Sequence, residues 1–292
     1  MFNYDFQSLS IIFSTKTNWG TCEVIFDVNT GVLDVYGGTL GEWTPDYVDN
    51  NRLIKKNQVK KVNLLGHVFT PKNSAILFSA QWTNLEEIEG ELDTSKTSNM
   101  YGMFERTQRL KKIDVSKWDT SNVKDISFIF SQSGITEIDV NIWNVSKVTN
   151  MSQSFNGTGN LTSLDINNWD TSNVSSMSAM FAYTSLEELN LNHFNTSNVT
   201  DMTQMFVGMN DLKKLNIGNF DTTKVNSFEY IFANDFSLSE ITLGNNTLFS
   251  KQNTYLPLVS TESGEFTGRW IKVVPENPFS VYETSDTFMS KL

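Results

Sequence analysis

The chain has 292 residues, enough for a long solenoid or a large core, and carries a formal net charge of -11. Such a charge repels nucleic-acid phosphates and anionic membrane surfaces, so neither is an expected partner. The single cysteine, Cys22, excludes an intrachain disulfide and a multi-cysteine zinc site, and no run approaches the roughly 18 apolar residues of a membrane-spanning helix.

In chain order, Leu9-Ser10-Ile11-Ile12-Phe13 is too short for a signal-peptide core and follows no basic residue. Residues 1–58 are expected to form a β-rich N-terminal cap. Its two strands, 22–28 and 32–36, flank Asn29-Thr30-Gly31 as a hairpin covering the first coil. Residues 59–243 then repeat. Phe78, Phe104, Phe130, Phe155, Phe181, Phe206 and Phe232 recur at spacings of 26, 26, 25, 26, 25 and 26 residues, the mark of one unit copied and stacked.

Each unit has two halves. The first alternates apolar and polar residues, as in Leu189-Asn190-Leu191, and predicts a short strand with one buried face. Eight such strands are expected to pair into a continuous parallel sheet. The second half, as in Val199-x-x-Met202-x-x-Met205-Phe206, places apolar residues at i, i+3, i+6 and i+7 and predicts a short helical turn. The preceding Thr196-Ser197-Asn198, repeated at 120–122 and 171–173, is expected to turn and cap it.

Between the halves runs Leu92, Trp118, Trp143, Trp169, Phe194 and Phe220. Three spaced tryptophans fit a glycan-stacking platform, but their replacement by Phe and Leu fits a core ladder better. The methionine column is likewise expected to fill the core rather than bind metal. His67 is expected in the aromatic column of the first coil and His193 in solvent. Residues 244–292 are expected to form a C-terminal cap and tail, with a closing strand at 269–274 and an extended tail from Pro275.

The unit, seen almost residue for residue in WDTSNVSSMSAMF at 169–181 and FNTSNVTDMTQMF at 194–206, resembles the BspA-like leucine-rich repeats of bacterial surface proteins, also called the DUF285 or mycoplasma-lipoprotein repeat. Trp19-Gly20-Thr21-Cys22, Tyr36 to Gly41 and Thr267 to Trp270 resemble the end segments of such proteins in lactobacilli. The departures are Phe194 and Phe220 for Trp, Thr222-Thr223-Lys224 for Thr-Ser-Asn, and Ser154 for Met. The resemblance implies an extracellular, non-enzymatic adhesin of a Gram-positive bacterium, anchored to the cell wall through regions outside this chain. It also implies binding to host mucin glycoprotein or extracellular-matrix protein.

The expected fold is thus an α/β solenoid, a right-handed leucine-rich-repeat superhelix with parallel sheet, short helical turns and a β-rich cap. A monomer is expected. On its sheet face, outward polar positions give the candidate ligand-binding residues Asp114, Glu137, Asp139, Asp165, Glu188, Asn190 and Asn216. Asp and Asn there suit sugar hydroxyls or a basic protein, or else bond neighbouring backbone and solubilise the sheet. No nucleophile motif such as G-x-S-x-G occurs, no loop has the ligand spacing of a Ca²⁺ site, and no cofactor is expected. The other reading of the chain is a spacer projecting a separate binding domain from the wall.

Overall fold

Alternating apolar residues build the N-terminal end. In the computed structural model, which describes residues 14–247 and Phe249 with the backbone of 266–273 and 285–291, three strands open the chain: β1 (Ser14–Trp19), β2 (Cys22–Asp27) and β3 (Val32–Thr39). They pair antiparallel in that order. The expected hairpin is therefore the second half of a three-stranded meander, with an extra turn at Gly20-Thr21, where Gly20 has φ +66. β3 runs parallel to β4 (Lys61–Phe69), which pairs with β5 (Glu87–Glu89) and β6 (Leu92–Asp93), so the meander continues into the coils as one sheet.

A second sheet lies at the other end. β7 (Glu188–Asn190), β8 (Lys214–Ile217) and β9 (Glu240–Gly244) are parallel. β11 (Ser285–Lys291) pairs antiparallel with β9 and then with β10 (Phe266–Val273). The strand expected near 269–274 thus exists, but it stands one place removed from the last coil. The segment read as an extended tail supplies the strand between them.

The solenoid is a β-solenoid, and the helical turns are not formed. Among the described residues the one helical element is a single 3-10 turn, Lys56–Gln58. The i, i+3 apolar spacing comes instead from tandem tight turns. In one coil, Met103 N donates to Met100 O (3.2 Å) and Glu105 N to Gly102 O (3.0 Å). The alternate amides of Gly102, Phe104 and Arg106 donate to Ser127, Ile129 and Ser131 of the next coil at 2.7–2.8 Å. Left-handed residues recur in two columns, for example Gly102 (φ +55) and Arg106 (φ +61), and stop an α-helix from propagating. Even Ile76, Phe128 and Tyr230 adopt this conformation, which the inter-coil bonds must over-determine.

The Thr-Ser-Asn cluster is a stitch between coils rather than a helix cap. Thr120, Thr171 and Thr196 are buried and donate from Oγ1 to the carbonyls of Asn144, Asn195 and Asp221 in the next coil (3.0–3.1 Å). Asn122, Asn173 and Asn198 donate from Nδ2 to Ser95, Ser146 and Ser172 of the previous coil (2.7–3.1 Å). Lys147 and Lys224, which replace this Asn, reach back to Asn122 and Asn198 Oδ1. On this turn side, parallel bridges run without interruption from Asn73 through Asn99, Asp125, Asn150, Ser176 and Asp201 to Ser227.

The core is a set of stacked columns. The seven phenylalanines are at most 1 % exposed, with successive ring centroids 5.4–6.2 Å apart. Trp118, Trp143 and Trp169 are also buried and stack at 6.0 and 6.3 Å, so they are a core ladder. Met100, Met151, Met177 and Met202 are fully buried beside them.

The expected continuous eight-strand sheet is absent, and the tryptophans supply the reason. Between the two sheets, no backbone bond joins the segments 112–115, 138–140 and 163–166 to one another. Thr136 N donating to Lys111 O (2.9 Å) is the nearest remnant of a ladder. Ring-stack width is not the difference, since Phe130, Phe155 and Phe181 stack at 6.0 and 6.2 Å beside the uninterrupted turn-side ladder. The indole Nε1 atoms take strand carbonyls: Trp143 donates to Val115 O (3.4 Å) and Trp169 to Val140 O (3.0 Å). His193 Nε2 occupies the same role against Ile166 O (2.8 Å), so it is half-buried rather than solvated. Pairing resumes at β7 and β8, where the column carries Phe194 and Phe220.

Replacing both Trp143 and Trp169 by Phe is therefore expected to let the strands close. Amide hydrogen exchange across 137–140 and 163–166 should slow at least tenfold; exchange unchanged or faster would remove the indoles as the cause.

Candidate functional site

Where the ladder is interrupted, the strand side carries an open groove of about 1340 Å³. Four strand segments line it, at 86–91, 111–114, 137–141 and 163–167. Its floor is Ile88, Ile113, Ile138 and Leu164. Ile88 and Ile113 are each 8 % exposed, whereas Ile138 and Leu164 are half-buried and open to the groove. Period-two alternation puts this apolar line between two polar columns.

The polar columns are acidic. Glu86, Glu87, Glu89, Glu91, Asp114, Glu137, Asp139 and Asp165 line the groove, against Lys111 and Lys112. Several of these charges are already answered. Lys61 Nζ lies 3.0 Å from Glu87 and 2.7 Å from Glu89, which raises the lysine above its ordinary pKa and lowers Glu89. Lys117 pairs with Glu91, Arg109 lies 3.5 Å from Glu86, and Lys112 lies 3.9 Å from Glu137. Such exposed pairs are screened by water and add little to stability.

The aspartates of the outward column have a local task. Asp114 Oδ1 accepts from the Ser116 hydroxyl (2.6 Å) and amide (3.0 Å), which holds its carboxyl below the usual range. Asp139 accepts from Asn141 N (3.2 Å) and Asp165 from Asn167 N (3.1 Å). Asn190 and Asn216 close the same turn onto Asn192 N (3.1 Å) and Gly218 N (3.0 Å). One carboxylate oxygen therefore shapes the turn at each of these aspartates, which also line the groove. None of Asp114, Asp139 and Asp165 forms a salt bridge among the described residues.

Of the candidate residues, Asp114, Glu137, Asp139 and Asp165 come together in the groove. Glu188, Asn190 and Asn216 do not; they sit on β7 and β8, where Lys214 Nζ lies 3.1 Å from Glu188 Oε1. The alternation pattern could not single out Ile138 and Leu164 as groove floor, because it assigns every apolar strand residue to the interior. The signal was the tryptophan column, whose Nε1 atoms take strand carbonyls.

A smaller cleft of about 430 Å³ adjoins the groove and shares Gly90, Glu91 and Asp114 with it. His67 lines it, bonded to Asp93 Oδ2 at 2.9 Å and stacked on Phe69 at 4.3 Å. Its side chain is 70 % exposed, so it is not in the aromatic column; a bulge in the β3–β4 pairing gives that place to Val68, opposite Leu92. The Ser95 hydroxyl and amide, then His67, hold Asp93 below the usual carboxylate range. Among the described residues, no group of three or more His, Cys, Asp or Glu side chains is placed to hold a metal ion, and no helix is long and apolar enough to cross a membrane.

The family described as Mycoplasma protein of unknown function, DUF285, matches residues 48–164 and 151–248 of this chain. No curated protein and no solved structure matches it.

Proposed function

The chain belongs to the DUF285 family, and from that premise we propose that it is a cell-surface adhesion domain acting by binding rather than by catalysis. Its ligand is a host mucin glycoprotein or an extracellular-matrix protein, engaged through the strand-side groove. The observation that carries this reading is the local opening of the strand side. Among the described residues, the coils between the two sheets leave an apolar floor and strand segments without a continuous ladder. In this reading the domain works outside the cell, held to the wall by regions outside this chain.

A second reading, a spacer that projects another domain, draws on a different observation. The uninterrupted bridge ladder and the stacked aromatic columns make the turn side a stiff rod.

Immobilised mucin and matrix protein, titrated with the whole chain, separate the two. Adhesion predicts saturable binding that weakens at least tenfold in the triple variant Asp114→Asn, Asp139→Asn, Asp165→Asn. Asparagine keeps the turn acceptor, as Asn190 and Asn216 do naturally. Absence of binding to either surface leaves the spacer reading.

A further inference from the structure

We propose that the groove takes an extended, lysine- or arginine-rich polypeptide segment, and that anionic glycans are excluded from it. The inference rests on the adhesion reading above and narrows its ligand.

Three features converge on this chemistry. The first is charge: eight carboxylates against two lysines line the groove, and among the described residues Asp139 and Asp165 form no salt bridge, while Asp114 is within the field of Lys117. Complementary charge raises encounter rates and selects against like-charged partners, here sialylated or sulfated sugars. The second is shape. Four adjacent strand segments, at about 4.8 Å between neighbours, span roughly 14 Å, the length of about four extended residues at about 3.3 Å each. The third is alternation. The half-buried floor of Ile138 and Leu164 lies between the acidic columns, matching a strand whose apolar and cationic side chains point to opposite edges.

A bound segment of this kind seats apolar side chains on Ile138 and Leu164 and leaves its ammonium or guanidinium groups at the rim. Rim pairs in partial contact with water are screened, so binding is salt-dependent.

The test uses the whole chain and three blocked octapeptides: lysine alternating with valine, serine with valine, and glutamate with valine. Mucin and matrix protein are titrated in parallel. The proposal expects saturable binding of the lysine peptide alone, weakening at least tenfold between 50 and 300 mM salt. A further tenfold loss is expected in the variant Glu137→Gln, Asp139→Asn, Asp165→Asn, with circular dichroism unchanged. Equal binding of the serine and lysine peptides, or of the glutamate peptide, overturns it. If mucin or matrix protein binds through the groove while the lysine peptide does not, this inference fails and adhesion stands. If none of the probes or surfaces binds, both fail.

Discussion

Replacing Phe155 by Ala is expected to cost about 3–5 kcal/mol of folding stability, the range for truncating a fully buried aromatic. Phe155 is 1 % exposed and sits between Phe130 and Phe181 at 6.0 and 6.2 Å, with Trp169 at 6.2 Å on its other side. Its removal strips the contacts joining one coil to both neighbours, in the stretch where the strand side contributes no ladder. The stability of a solenoid is a sum of coil and interface terms, so the variant should also lose cooperativity. Its N-terminal and C-terminal coils should melt as separate transitions in calorimetry. Ile142→Ala, at a side chain 56 % exposed, is the control and should stay within about 0.5 kcal/mol. A loss below about 1 kcal/mol at Phe155 would show that the ring column does not couple the coils.

The second large effect has the opposite sign. Asp235 is fully buried; its Oδ1 accepts from Met209 N (2.9 Å), and its Oδ2 has no hydrogen-bond partner among the described residues. Burial pushes its carboxyl up to about 8. An unfolded aspartate titrates near ~3.9. Below that pH both states hold the proton and no penalty arises. From there to about 8 the unfolded chain ionises while the folded one keeps its proton, so stability falls as pH rises, and above about 8 the loss is complete. At about 1.4 kcal/mol per pH unit, this span of roughly four units amounts to about 5 kcal/mol at most.

In the same column of earlier coils, Thr107, Thr158 and Thr184 donate to Phe104, Phe155 and Phe181 carbonyls at 2.7–3.0 Å. Asp235→Thr restores that residue. It is expected to leave stability near wild type at pH 4 and to raise it by several kcal/mol, up to about 5, at pH 8. Urea unfolding at the two pH values checks this, and an equal difference at both would refute it.

The site was legible only in part. Asp114, Asp139 and Asp165 stood out because polar residues alternate with apolar ones on each strand, and alternation is a local property. Their second task was equally local: an Asp or Asn two residues before a turn amide closes that turn, which Asn190 and Asn216 also do. Lysine at these positions would remove the turn acceptor along with the charge, whereas asparagine removes the charge alone. Glu188, Asn190 and Asn216 share the same alternation but lie on the paired sheet of β7 and β8, outside the groove.

The repeat period by itself determined that coils stack, and which residues form the Phe, Trp and Met columns. A large apolar side chain at one fixed place in every copy has no shelter except the copy beside it. Two other matters were decided by tertiary structure. Spacing of i, i+3 fits a helical turn and a run of tight turns equally; the choice fell to amides that bond the neighbouring coil instead of their own. Equal strand patterns in every coil could not say where the sheet would break. That depended on which carbonyls the indole Nε1 atoms take, contacts that exist only once the coils are stacked.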